Sequence, residues 1–146
     1  MVDVGDKAET MRTARASVVI HMAAETLLAI QNRGIAKGNV WEVARLAGIQ
    51  AAKLTPQIIP LCHVVPLTGV AIDFHPVGPQ TVRLEATVRC VGRTGVEMEA
   101  LTAAGVAALT VYDMCKSLDR RMTIRELRLE EKEGGKSGHF VHDANG

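Results

Sequence analysis

Aromatic side chains are nearly missing. One tryptophan, one tyrosine and two phenylalanines stand among 146 residues, so Ala, Val, Leu and Ile have to fill the interior. Cysteines number only three, an odd count without close spacing. That fits a reducing cytosol better than a disulfide framework and predicts a cytoplasmic protein. Neither CxxC nor HxxxH occurs, so the spacing of a zinc site is lacking, and no metal or cofactor is expected. No apolar run reaches the ~18 residues of a membrane span; the longest candidate, residues 100–111, is too short. The opening "MVDVGDK" lacks the apolar stretch of a signal peptide. An excess of one charge is lacking too. The formal net charge is +1 with both signs interleaved, which speaks against a whole-surface nucleic-acid binder and leaves room for a local basic pocket.

What is present is a chain of single-domain length with 47% hydrophobic residues, enough for a core. One α+β domain over residues 1–138 is expected, followed by a polar, Gly-rich tail over 139–146 that is mobile. "ARASVVIHM" (14–22) is rich in β-branched residues and reads as a strand. "AAETLLAIQNRG" reads as a helix stopped by Gly34. "KGNVWEVARLAGIQAAKLT" reads as a second helix, with Asn39 as its N-cap, Val40, Val43, Ala44, Ala47 and Ala51 at helical spacing, and Pro56 as its end. "PQIIPLCHVVPL" has three prolines and no period, and reads as an ordered loop. Two strands follow, "TGVAIDF" and "TVRLEATVRCV". In the second, Val82, Leu84, Ala86, Val88 and Cys90 alternate with Arg83, Glu85, Thr87 and Arg89. "MTIRELRLEE" reads as the last strand, with Ile124, Leu127 and Leu129 facing the core. The order predicts a ferredoxin-like βαββαβ antiparallel sheet with one extra helix before the second strand.

Between the third and fourth strands lies "GVEMEALTAAGVAALTVYDMCKS" (95–117), a helix with an almost pure Ala, Val and Leu middle. Glu99, Thr102, Thr110, Asp113 and Lys116 fall within about a third of its circumference. A helix so apolar elsewhere is buried on most sides, and the expected cover is a partner subunit. Glu99 and Asp113 are fourteen residues apart, roughly 21 Å along the axis, so they serve either two ends of a long ligand or sites shared between chains. Asp113 and Lys116 are close enough to pair, either as a structural salt bridge or, if buried, as an acid–base couple.

Lys37, Arg45, Lys53, Lys116, Lys132 and Lys136 read singly as surface charge, but Lys53 closes an apolar helical run and is expected to reach a pocket or an interface. Cys62 and His63 are adjacent in the proline-bracketed loop. Adjacent residues rarely face each other, so a loop presenting backbone groups and one imidazole to a ligand is a better reading than a Cys-His nucleophile. "GGKSG" (134–138) imitates a Walker loop, but Glu130 stands where its first glycine belongs and no helix pattern follows.

These same segments also carry a resemblance. "MVDVGDK", "KGNVWEVARLAGIQAAKLT", "IPLCHVVPLT", "TGVEMEALTAAGVAALTVYDMCKSLD" and "EKEGGKSG" occur in that order. Together they resemble the molybdenum cofactor biosynthesis protein C family, the cyclic pyranopterin monophosphate synthases, over nearly the whole chain. The resemblance implies a lyase that converts a cyclised dihydro-GTP to cyclic pyranopterin monophosphate and pyrophosphate, without a redox cofactor. It implies Asp113, Lys116 and Lys53 as catalytic residues. It implies Leu61, Cys62, His63, Glu97, Met98, Glu99, Lys37 and Lys132 around the substrate. It also implies a homohexamer, a trimer of dimers with sites between subunits, and neither nucleic acid nor membrane as partner. Asn39 stands where the family's usual aspartate does, and Val64, Val65 and Gly69 depart from "LCHPLPLTKV". These departures define an alternative: a non-catalytic or impaired purine-nucleotide-binding homologue.

Overall fold

The middle strand of the protein is β1 (Thr10–His21), whose alternate residues Ala14, Ala16, Val18 and Ile20 are at most 1% exposed. Beside it, β3 (Thr81–Gly92) buries Val82, Leu84, Ala86, Val88 and Cys90. The two run antiparallel, with Ala16 opposite Ala86 and Ile20 opposite Val82, so their apolar stripes join into one face. β2 (Leu67–Pro76) pairs with the far side of β3, and β4 (Thr123–Glu133) with the far side of β1. A short β5 (Phe140–Val141) completes an all-antiparallel sheet in the order β2-β3-β1-β4-β5. This computed structural model describes residues 1–143.

Three helices cover the apolar face: α1 (Ala24–Gln31), α2 (Val40–Ile58) and α3 (Glu97–Cys115). α3 lies across β1, β3 and β4, and α2 packs against α3 and β2. The βαββαβ arrangement with an extra helix is as the sequence predicts. Asn39 caps α2, its side chain accepting from the Glu42 amide at 3.2 Å. α1 has no cap of its own at Ala23. Asp119, beyond α3, supplies one by accepting from the Ala23 amide at 2.8 Å and the Thr26 hydroxyl at 3.3 Å.

Small residues set how closely the helices approach. Ala100, Ala103, Ala104, Ala107 and Ala108 of α3 are all 0% exposed. Opposite them, a Cβ on Gly48 would lie 3.1 Å from the Ala103 carbonyl oxygen and 3.0 Å from Ile72 Cδ1. The expectation that one chain leaves α3 largely uncovered is therefore corrected. α2 and the sheet bury it on most sides, leaving Leu109 and Met98 as its most exposed large apolar residues.

Elsewhere local geometry departs from the sequence reading. Pro56 lies inside α2, which runs on to Ile58 and closes with Ile59 N–H donating to Thr55 O at 2.9 Å. The proline's φ suits a helix and only one backbone donor is lost, so a proline this near the end is tolerated. In β4, a register irregularity opposite Val18 and a positive φ of 53° at Glu126 insert an extra residue. That bulge lets Ile124 face Ile20 and Leu129 face Ala16 while Leu127 reaches over Gly105 of α3. Leu127 remains 47% exposed there, unlike the buried position expected. β1 also begins four residues before the strand read from the sequence, and Phe140–Val141 pairs with β4 where a tail was read. Residues 144–146 of that tail lie outside the described residues.

The face of the sheet away from the helices is charged. Glu130 accepts from Ser17 Oγ at 2.5 Å and pairs with Arg128 at 2.7 Å and Arg83 at 3.3 Å. Burial opposes its charge, but the Ser17 and Arg128 hydrogen bonds and the two guanidiniums win and hold its carboxyl at about 2.

Candidate active site

At the N-terminal end of α3, Gly95 and Val96 turn the chain into the helix and Glu97, Met98 and Glu99 form its first turn. Acids there complement the helix dipole. Loop 59–66 folds against this turn, and Cys62 Sγ donates to Glu99 Oε1 at 3.7 Å. Glu99 is 1% exposed, and its Oε2 is buried without a partner among the described residues. Burial pushes its carboxyl up from the usual range, and the charge of Glu97 adds to that. Cys62 is pushed up as well, by burial first and then by Glu99, so it is held as a thiol and lacks the character of a nucleophile.

Lys53, near the end of α2, joins Glu99 in a cavity of about 250 Å³ whose apolar walls include Ala52, Pro56, Val65 and Leu67. His63 faces a second cavity of about 330 Å³ on the other side of the Val64–Val65 wall, with Arg93 and Glu9. Leu61 is 69% exposed at the loop's crest.

At the other end of α3, Asp113 sits between two lysines. Lys116 Nζ lies 2.9 Å from Oδ1, and Lys37 Nζ lies 3.0 Å from Oδ2 and 3.1 Å from the Asp113 carbonyl. Lys37 comes from the turn before α2, where Gly38 adopts φ +115°, a conformation that suits glycine. Hydrogen bonds from Lys116 and then Lys37 lower the carboxyl below its usual range, so Asp113 is an anion at neutral pH. Its side chain is 56% exposed, so the pair is not buried within one chain.

The polar stripe read along α3 is thus split: Glu99 is buried while Asp113 and Lys116 stand in solvent. The chain brings Lys53 and Cys62 to Glu99, and Lys37 to Asp113 and Lys116. It does not bring these two groups together. Lys132 is in a third place, on β4, where it hydrogen-bonds Ser137. Sequence reasoning missed the Lys37–Asp113 contact, which joins residues 76 positions apart. It also missed Arg12, a buried cation on the core face of β1, because the strand was read from residue 14. Extending the alternation of Ala14 and Ala16 backwards would have pointed to it.

A split βαββαβ sheet, with one carboxyl pushed up at one end of its long helix and another held as an anion by lysines at the other, defines a ferredoxin-like α+β protein. Residues 1–135 match the MoaC family, and the chain belongs to that family. It is 54% identical over 143 residues to the cyclic pyranopterin monophosphate synthase of Desulfitobacterium hafniense, covering 98% of this chain and 88% of that protein. It is 56% identical over 144 residues to the enzyme of the same name from Roseiflexus sp., covering 98% of this chain and 91% of that one.

Proposed function

We propose that the protein is a cyclic pyranopterin monophosphate synthase. It converts 3′,8-cyclo-7,8-dihydroguanosine 5′-triphosphate to cyclic pyranopterin monophosphate and pyrophosphate, a step of molybdenum cofactor biosynthesis. The observation that carries this reading is the Asp113 carboxylate held between the ammonium groups of Lys116 and Lys37. Burial pushes the Glu99 carboxyl up from its usual range, and hydrogen bonds from Lys116 and Lys37 keep Asp113 ionised and able to accept a proton. Opening the imidazole ring and closing the pterin need a proton donor and a proton acceptor. Closing the cyclic phosphate removes a hydroxyl proton and expels pyrophosphate from the α-phosphorus, and lysines stabilise that leaving polyanion.

In this reading Asp113, Lys116 and Lys53 are the catalytic residues. Leu61, Cys62, His63, Glu97, Met98, Glu99, Lys37 and Lys132 line the substrate. The clusters at the two ends of α3, roughly 21 Å apart, meet across subunits of a homohexamer in the cytoplasm. Asn39 caps α2 as an aspartate would, so this departure from the family pattern keeps the helix start. The test is incubation of the protein with the cyclised dihydro-GTP and detection of pyrophosphate and pterin. Formation of both is expected. Binding without turnover would return the chain to the impaired-homologue reading.

A further inference from the structure

The hairpin that joins β4 to β5 brings together three ligating side chains that the sequence spacing does not suggest. Glu131 and Glu133 alternate with Lys132 on β4 and so share one face of the strand. β5 pairs Val141 with Glu131 and Phe140 with Lys132, and continuing that register sets His139 opposite Glu133. His139 Nε2 lies 2.7 Å from Glu131 Oε1 and 3.5 Å from Glu133 Oε1. One ligand atom from each of the three side chains lies within 4.8 Å of the other two.

A salt bridge alone leaves this group incomplete. An imidazole nitrogen carries either one hydrogen or one lone pair, so Nε2 serves one partner well. Glu131 takes it, and the Glu133 carboxylate has no other partner among the described residues. Two carboxylates this close also repel each other. A divalent cation between the three groups removes both defects. Metal bonds of about 2.0–2.2 Å to nitrogen and oxygen put tetrahedral ligand atoms roughly 3.4 Å apart, a value that the 2.7 Å and 3.5 Å separations bracket. Arg15 lies 3.3 Å from Glu131 Oε2, so one oxygen orients the carboxylate while the other stays turned to His139.

We propose that Glu131, Glu133 and His139 form a site for a divalent transition metal of the Zn²⁺ class. One imidazole with two carboxylates suits Zn²⁺, Co²⁺ or Ni²⁺ better than Mg²⁺ or Ca²⁺, which prefer oxygen ligands alone. Three protein ligands leave the fourth position to water. The metal clamps β5, a strand of only two residues, onto β4 and ties together the two ends of loop 134–138. None of the three ligands belongs to the proposed catalytic or substrate-binding residues, so the site stands whether or not that function holds.

The test is calorimetric titration of chelator-stripped protein with Zn²⁺ and with Mg²⁺, beside the variants His139→Ala and Glu133→Gln. Both side chains are exposed, so without metal the variants should melt as the wild type does. Zn²⁺ should bind the wild type more tightly than Mg²⁺ does. Losing a ligand should weaken Zn²⁺ binding by at least the ~10-fold that losing an outer-shell partner costs. Zn²⁺ should also slow hydrogen exchange at the amides of residues 140–142 in the wild type, where His142 N–H donates to Glu130 O at 2.7 Å, and leave it unchanged in the variants. That exchange separates the site from Zn²⁺ held adventitiously by Cys62 and His63, which lie outside this hairpin. Equal Zn²⁺ affinity in the wild type and both variants would overturn the proposal, as would Mg²⁺ binding as tight as that of Zn²⁺. Unchanged exchange at residues 140–142 in wild type saturated with Zn²⁺ would overturn the clamp.

Discussion

Asp113 and Glu99 illustrate how the same chemical group is driven in opposite directions by its surroundings. Asp113 faces two ammonium groups within 3.0 Å and stays ionised. Replacing it with Asn keeps the shape and removes the base. Turnover of the cyclised dihydro-GTP is expected to fall ~100-fold or more, while the melting temperature changes little because the side chain is half exposed. Near-normal turnover by a folded variant would remove Asp113 from the chemistry. Glu99 is buried with one oxygen unpartnered, so its folded carboxyl titrates above the unfolded one. The folded state then holds the proton more tightly, and its stability is lost as pH rises through the raised value. Urea unfolding of wild type and Glu99→Gln across pH 4–8 reads this directly. The variant should gain stability relative to wild type as pH rises, and a constant difference would contradict the raised carboxyl.

Elements are placed here by side chains that are small or missing. α2 and α3 touch where Gly48 leaves 3.1 Å between a would-be Cβ and the Ala103 carbonyl. A backbone oxygen cannot rotate away as a side chain can. Gly48→Val should therefore destabilise the fold by about 1–3 kcal/mol from overpacking alone, lowering the melting point by roughly 2–4 °C per kcal/mol in a domain of this size. An unchanged melting temperature would show that the helices can part freely. The helical periods of α2 and α3 and the alternation in β3 were legible because each is a local pattern of apolar residues. The bulge at Glu126, the two helical residues after Pro56 and the cap that Asp119 lends to α1 were not. Each is decided by a neighbour distant in sequence: β1 for the bulge, packing of α2 on α3 for the proline, and the end of α3 for the cap.

For the whole molecule, the main consequence is the separation of the two polar groups on α3. No side chain bridges roughly 21 Å, so activity is expected to need two chains for one site. An Asp113→Asn variant mixed with a Lys53→Ala variant, under conditions that exchange subunits, should regain part of the activity that each lacks alone. Some mixed sites then contain both wild-type groups. No recovery despite demonstrated exchange would mean that both residues act from one chain, and a fully active monomer in sedimentation would exclude a composite site.

Taken alone, the sequence determined the βαββαβ order, the cap at Asn39, the apolar middle of α3 and, through its long ordered motifs, the MoaC family. All of these depend on residues near one another along the chain. Tertiary structure alone decided that Glu99 is buried beside Cys62, that Lys37 crosses 76 positions to reach Asp113, and that Arg12 lies under two glycines with no carboxylate paired to it among the described residues. Burial and electrostatic pairing depend on distances in space, and a strand register or a helix crossing sets those distances between segments whose local patterns carry no record of each other.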